Sequence, residues 1–301
     1  MRVLVTGATG FIGRRLVSAL VARHDVLAAS RSGEGVAGAR GVALDLTGPA
    51  TFGALPSRVD VVIHLAAAIE APSFERYLAV NVLGTRLLLE YAERAGAGLF
   101  VHGSTGGVYG SSPEVCREAD TLRPQDDYAI SKAQAELCVT SFPGAARKVV
   151  LRYCAPYEVG TPNPISRIVA SVVTGREVEV VPTMSPRYNP LHVDDAVEMT
   201  LRAMRLEQNA VLNVAGEEVV TFAGIALIAG EAIGRPPRFR LVDLSETIPY
   251  WRSDAVLENT QAYSLLDYRP RIPLRSGISA MARHLASSLG DAADEERNAA
   301  G

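Results

Sequence analysis

Tyr128 and Lys132 stand four residues apart in Tyr128-Ala129-Ile130-Ser131-Lys132, a spacing that sets a phenol and an ammonium on one face of a helix. A cation beside a phenol favours the phenolate and lowers the phenol pKa toward working pH. Such a pair can move a proton on or off a carbinol oxygen. Plain helix surfaces also carry Tyr and Lys at this spacing. What singles this pair out is the preceding segment, His102-Gly103-Ser104-Thr105-Gly106-Gly107-Val108-Tyr109-Gly110, which brings hydroxyls to the end of a strand run. A second constellation opens the chain: Thr6-Gly7-Ala8-Thr9-Gly10-Phe11-Ile12-Gly13 lies where a strand pattern turns into a helix pattern. Gly7 permits the tight turn, Gly10 lets backbone approach a pyrophosphate, and Gly13 lets helix pack closely on strand. The helix N-terminus, from Phe11 and Ile12 onward, supplies oriented N–H groups.

The end of the second strand bears on which nicotinamide dinucleotide such a loop would hold. An acid there bonds the ribose 2′-OH of NAD, whereas an Arg pairs with the 2′-phosphate of NADP. The sequence reads Ala29-Ser30-Arg31-Ser32. Arg31 can fork onto a phosphate, with Ser30 or Ser32 adding a hydroxyl, so NADP(H) is favoured and NAD(H) stays open. Asp45-Leu46, after the third strand, borders the adenine.

These groups need a scaffold, and the pattern supplies one. Near-continuous apolar runs at Val3–Thr6, Val26–Ser30, Gly41–Leu44, Val59–Leu65, Leu99–Gly103 and Lys148–Tyr153 read as strands buried on both faces. Helical patterns at Phe11–Val21, Phe74–Ala95 and Tyr128–Val139 alternate with them. The expectation is an α/β fold of Rossmann type, a doubly wound parallel sheet over residues 1–155 that includes the catalytic residues. From 156 to 287 prolines cluster and helices dominate (Ile165–Thr174, Asp194–Leu206, Thr221–Ile233, Ser276–Leu289), with short strands at Val178–Val180, Val211–Val214 and Phe239–Val242. This part reads as a smaller C-terminal α/β substrate lobe with some return to the core. Residues 288–301 read as a flexible tail.

Composition narrows the field. With 48% apolar and 21% charged residues the 301-residue chain is globular, and 30 basic against 33 acidic side chains leave −3, too little positive charge for a nucleic-acid partner. No run approaches the ~18 apolar residues that span a membrane. Cys116, Cys138 and Cys154 form no CxxC, which suits a reducing, cytoplasmic setting. His24, His64, His102, His192 and His284 show no metal-ligand spacing, and no metal is expected. His64 and His102 read as packed structural residues, Asp194-Asp195 as helix-capping acids, and Trp251 as core.

Taken in order, these segments resemble the extended short-chain dehydrogenase/reductase family, in its nucleotide-sugar epimerase/dehydratase/reductase branch, over residues 1–287. The likeness also rests on His64-Leu65-Ala66-Ala67, Asn81-Val82-Leu83-Gly84-Thr85, Leu151-Arg152-Tyr153, Leu191-His192-Val193-Asp194-Asp195 and Asn213-Val214-Ala215-Gly216. The resemblance implies that Tyr128 is the acid/base and that Lys132 tunes it while holding the nicotinamide ribose. It implies that Thr105 hydrogen-bonds the reacting oxygen, with Ser104 a second donor. It puts Leu65, Ala66, Ala67 and Asn81 among the cofactor-binding positions, Asn81 also positioning the active-site helix or substrate. The substrate would be a nucleotide sugar and the protein a homodimer, with Phe74–Ala95 and Tyr128–Val139 pairing into a four-helix interface.

The chain also departs from that pattern. Where the dehydratases carry Asp-Glu after the Thr, and the decarboxylases a Glu, this chain has Gly106-Gly107. Elimination then lacks an agent. Ala155 stands where an Asn is usual, and the expected Arg before the His-Val-Asp-Asp segment is Tyr188, with Arg187 one place earlier. Arg187, Arg240 and Arg252 are the candidate phosphate partners. The first reading is therefore NADPH-dependent reduction of an NDP-4-keto-(deoxy)sugar. The alternatives are an NAD-dependent nucleotide-sugar 4-epimerase and a non-catalytic dinucleotide sensor.

Overall fold

The apolar runs pair side by side in a computed structural model that describes residues 1–161, 163–181, 186–243 and 255–299, the last ten by backbone alone. Strands β1 (Arg2–Thr6), β2 (Asp25–Ser30), β3 (Arg40–Ala43), β4 (Val61–His64), β5 (Leu99–Thr105), β6 (Arg147–Tyr153) and β9 (Ala210–Val214) form one sheet in the order β3-β2-β1-β4-β5-β6-β9. Every neighbouring pair is parallel. The order reverses between β1 and β4, so the carboxyl ends of β1, β4 and β5 open into the crevice where such sheets bind ligands.

Both faces of the sheet are covered, which is why its central strands are mostly apolar. Helices α1 (Phe11–Leu20), α6 (Val193–Ala203) and α8 (Thr260–Leu266) cover one face, burying Leu16, Val17, Met199 and Ala262 against Val3, Val5 and Leu151. On the other, α3 (Gly84–Arg94) and α4 (Asp127–Ser141) bury Leu88, Leu89 and Val139 against Leu4, Val62 and Phe100. Each of the larger of these side chains removed from water contributes about 1.5–3 kcal/mol.

The helix expected over Phe74–Ala95 is continuous but not uniform. It begins as α2 (Phe74–Tyr77), widens to a π segment over Leu78–Leu83, and resumes as α3. There the Gly84 N–H reaches back five residues to the Ala79 carbonyl. Wide turns of this kind recur at functional sites, and this one holds Asn81, 1% exposed.

The C-terminal part packs α5 (Pro164–Val173), α7 (Phe222–Ile233) and α9 (Leu274–Ala299) around Ile168, Val172, Ile225 and Ile278. Two small sheets flank it: β7 (Glu177–Val180) with β11 (Arg238–Leu241), and β8 (Arg187–Tyr188) with β10 (Val220–Thr221). Helix α9 takes in most of the terminal segment, running to Ala299, where Ala, Glu and Arg are strong helix formers. Asp195 is not a cap either. It is buried and accepts from the Tyr268 hydroxyl (2.7 Å) and the N–H groups of Arg271 and Ile272, tying the 268–272 turn to α6. No helix among the described residues is long and apolar enough to cross a membrane.

Candidate active site

The glycine loop has the shape an oxyanion ligand requires. Gly7 adopts φ +68°, and a Cβ on it would lie 2.7 Å from the Ala66 nitrogen. A Cβ on Gly13 would lie 2.1 Å from the Gly7 carbonyl oxygen, so α1 sits directly on the turn. Gly10, the N-cap of α1, brings no side chain to cap it. The first helical N–H groups, those of Phe11 and Ile12, are left for a ligand. Thr9 is half-buried in the turn between them. These residues fit a dinucleotide diphosphate, and Leu65 to Ala67 form the opposite wall of the turn.

At the end of β2, Arg31 is exposed and makes no hydrogen bond or ion pair with the described residues. The Ser32 hydroxyl accepts from the Glu34 N–H at 3.3 Å, and Ser30 donates to the Glu34 carbonyl at 2.9 Å, holding the loop closed. Asp45 accepts from both the N–H (2.9 Å) and the hydroxyl (2.8 Å) of Thr47, and these bonds hold its carboxyl below the usual range. The positive fields of Arg76 and Arg31 act in the same direction. Arg76, which no sequence motif marks, reaches Thr47 at 3.5 Å. Leu46 is buried behind them.

Helix α4 starts at an Asp126 cap, whose carboxylate accepts from the Ala129 N–H at 2.8 Å. Its first turn packs on Gly107, beside Thr105: a Cβ at Gly107 would lie 3.5 Å from Thr105 Oγ1 and 3.7 Å from Ala129 Cβ. Thr105 Oγ1 accepts from the Gly107 N–H at 3.1 Å, so its own proton is directed elsewhere, available to an incoming oxygen. Tyr128 lies at the start of α4, its ring 6.4 Å from that of Tyr77. Lys132 is buried one turn on, donating to the Gly103 carbonyl (2.7 Å) and His102 Nε2 (3.1 Å).

Burial pushes the Lys132 ammonium down to about 8. The expected lowering of Tyr128 is absent from this state: burial first, then Asp126 and Tyr77, hold the phenol above its usual value. Tyr128 is thus protonated at neutral pH, the form that can give a proton.

Ser104 needs correction. Successive strand residues face opposite sides of a sheet, and the Ser104 hydroxyl is buried and bonded to Glu136. Glu136 pairs with Arg152 at 2.7 Å, and Arg152 reaches Tyr109, whose hydroxyl donates to Asn213. Ser104 therefore belongs to a buried network under the site and is no second donor beside Thr105.

Asn81 is fully committed within the protein: its amide donates to Ser131 Oγ (2.9 Å) and the Ala68 carbonyl (3.0 Å), and its oxygen accepts from the Ala68 N–H (2.8 Å). It clamps the 66–68 wall to α4, where Ser131 donates to the Tyr128 carbonyl at 2.7 Å. The geometry gives Asn81 a positioning task, with both of its amide N–H groups used within the protein.

On the substrate side, half-buried Arg187 donates to the Pro113 carbonyl at 2.9 Å, and Tyr188 is buried against Phe222. Arg240 is committed to a cross-strand ion pair with Glu179 on the separate β7–β11 sheet, because parallel pairing sets the two residues opposite each other. Arg252 and Trp251 lie outside the described residues. Ala155 holds φ +38° where side chains are strained. Among the described residues no cluster of His, Cys, Asp and Glu could hold a metal ion.

Known proteins are similar to this chain over nearly its whole length. A dTDP-4-dehydro-6-deoxy-D-allose reductase from a Streptomyces species is 28% identical over 93% of this chain and 95% of its own length. A UDP-glucose 4-epimerase from Mycolicibacterium smegmatis is 30% identical, covering 93% and 96%. The solved structure of MoeE5 in complex with UDP-glucuronic acid and NAD superposes with a TM-score of 0.85 at 27% identity, over 96% of this chain and 100% of that one. The family model for NAD dependent epimerase/dehydratase proteins matches residues 3–215. By sheet order, glycine loop and sequence alike, the chain belongs to the NAD dependent epimerase/dehydratase family of enzymes.

Proposed function

We propose that the protein is an NADPH-dependent reductase of a nucleoside-diphosphate-linked 4-keto-(deoxy)sugar. The observation that carries this reading is the end of β2: an exposed Arg31 with no partner among the described residues, flanked by Ser32, with no acid in Ala29–Ser32. Arg76 adds a second cation near Asp45, and two guanidinium groups suit a 2′-phosphate. Elimination is disfavoured at Gly106, where a Cβ would already lie 3.1 Å from Leu257: an apolar wall stands where a dehydratase needs an acid.

When bound, the coenzyme supplies the hydride. The chain's residues do the rest. Gly7 to Gly13 hold the diphosphate, Lys132 holds the nicotinamide ribose, and Asp45 with Leu46 borders the adenine. Thr105 donates a hydrogen bond to the keto oxygen, and Tyr128 gives that oxygen its proton as the carbinol forms. Arg187 is the candidate for the substrate diphosphate. Exposed Leu83 and Leu137, on the neighbouring π segment and α4, support a homodimer through those helices, and three free cysteines support a reducing compartment such as the cytoplasm.

The second reading, an NAD-dependent 4-epimerase, is favoured by the M. smegmatis relative and by the NAD held in MoeE5. Titration with NADPH and NADH, followed by nicotinamide fluorescence, separates the two. Tight NADPH and weak NADH binding supports the reductase, whereas preference for NADH or protein purified with NAD supports the epimerase. Tyr128→Phe should then abolish turnover of a 4-keto sugar nucleotide and leave coenzyme affinity nearly intact; undiminished turnover would overturn the mechanism.

A further inference from the structure

Under the site, β5 and α4 are joined by two buried polar rungs. Alternate strand residues rise about 6.6 Å and helix residues four apart about 6.0 Å, so His102 and Ser104 come opposite Lys132 and Glu136. The Ser104–Glu136 rung is closed, because Glu136 also accepts from Arg152 Nε (3.0 Å) and Nη2 (2.7 Å). The His102–Lys132 rung is not. Of the three ammonium N–H groups, one goes to the Gly103 carbonyl and one to His102 Nε2, and no acceptor among the described residues takes the third.

An ammonium can only donate, so His102 Nε2 must present its lone pair and the ring proton must sit on Nδ1. That atom is buried and has no partner among the described residues. A buried N–H left unpaired costs free energy that an apolar ring of similar size would avoid. Packing alone therefore does not account for an imidazole here.

We propose that His102 is a positioning residue for Lys132: by accepting one N–H beside Gly103, it fixes the ammonium so that the third N–H points out to the nicotinamide ribose. The inference rests on the assignment of Lys132 to that ribose. Four rotatable bonds carry the ammonium, and without the second acceptor its direction is no longer fixed.

The test is a binding cycle on the full-length protein, using NADPH and 2′-phospho-ADP, a fragment that lacks the nicotinamide ribose. His102→Phe should weaken NADPH binding about tenfold, the loss expected for one hydrogen bond to a charged group, and leave the fragment unchanged. Lys132→Ala should do the same, and the double variant should be no weaker than Lys132→Ala alone. His102→Gln, whose amide oxygen still accepts, should recover most of the affinity. His102→Leu replaces the Phe variant if that chain does not fold.

Equal weakening of both ligands by His102→Phe, or losses that add in the double variant, would show mere packing and overturn the proposal. So would Lys132→Ala with undiminished NADPH binding, which removes the ribose contact itself. If the protein prefers NADH, the same cycle run with NADH and ADP tests the same contact, so failure of the reductase reading and failure of this inference are told apart.

Discussion

Replacing His64 by glutamine should flatten the acid limb of the protein's stability curve. His64 is fully buried between Thr6 Oγ1 (2.7 Å from Nδ1) and Thr85 Oγ1 (2.9 Å from Nε2). The Thr85 hydroxyl donates to the Asn81 carbonyl at 2.6 Å, so it must accept from an Nε2–H, which leaves the lone pair on Nδ1 and the Thr6 hydroxyl donating to it. A second ring proton, on Nδ1, would force the Thr6 hydroxyl to turn its own proton away and would place a charge in a fully buried site. Burial chiefly, then the Lys132 charge, lowers the ring from 6.5 to about 3.

Below about pH 6.5 the unfolded chain takes up a proton that the folded ring refuses, so the full stability present above that pH is lost as pH falls toward 3. The slope approaches about 1.4 kcal/mol per pH unit once the pH is well below 6.5. His102 is depressed in the same direction and adds to the loss. Urea unfolding from about pH 7.5 to 4.5 measures the slope. His64→Gln can keep both hydrogen bonds but cannot titrate, and should lower the slope by about 1.4 kcal/mol per unit. Equal slopes in the two proteins would refute the buried neutral imidazole.

Three further outcomes are expected. Arg31→Asp should lower NADPH affinity at least about tenfold, as loss of a charge-assisted fork implies, and raise NADH affinity; an unchanged ratio in fluorescence titration would remove Arg31 from the 2′-phosphate site. Ala155→Gly should raise the melting temperature by about 2 °C by relieving left-handed strain, and a lower melting point in calorimetry would refute that strain. Leu83→Glu with Leu137→Glu should convert a dimer into a monomer in sedimentation, whereas a wild-type monomer would refute that interface.

The sheet was legible because its central strands are short, largely apolar runs buried on both faces, and the glycine loop because its spacing follows from sterics that Gly7 and Gly13 display. Other features depend on distances along the chain that local patterns do not carry. Arg240 looked free because its partner Glu179 lies 61 residues away, on a strand paired only in the fold. The π segment was hidden because one wide turn barely alters a helical period. Ser104 could have been read correctly: strand alternation already sets it and Thr105 on opposite faces. The signal for its partner was present too, since Arg152 within an apolar strand requires a buried acid, and Glu136 stands one turn beyond Lys132.

Apolar packing holds the sheet and helices together, but it resists separation more than sliding, and the site needs its parts in fixed register. That register is set by polar contacts running without a break from the glycine turn to the catalytic helix. The Ala66 N–H donates to Thr6, Thr6 to His64, His64 to Thr85, and Thr85 to the Asn81 carbonyl. The Asn81 side chain then holds Ala68 and Ser131, and Ser131 holds the Tyr128 carbonyl. Each donor has one acceptor, so no member can shift by a residue without leaving a buried group unpaired, at about 1–3 kcal/mol each. A leucine at position 64 or 81 would fill the space and lose this directionality. The polar residues buried beneath the crevice are thus the part of the fold that ties the glycine turn to the start of α4, and on the proposed reading they hold the Tyr128 phenol in register with the coenzyme.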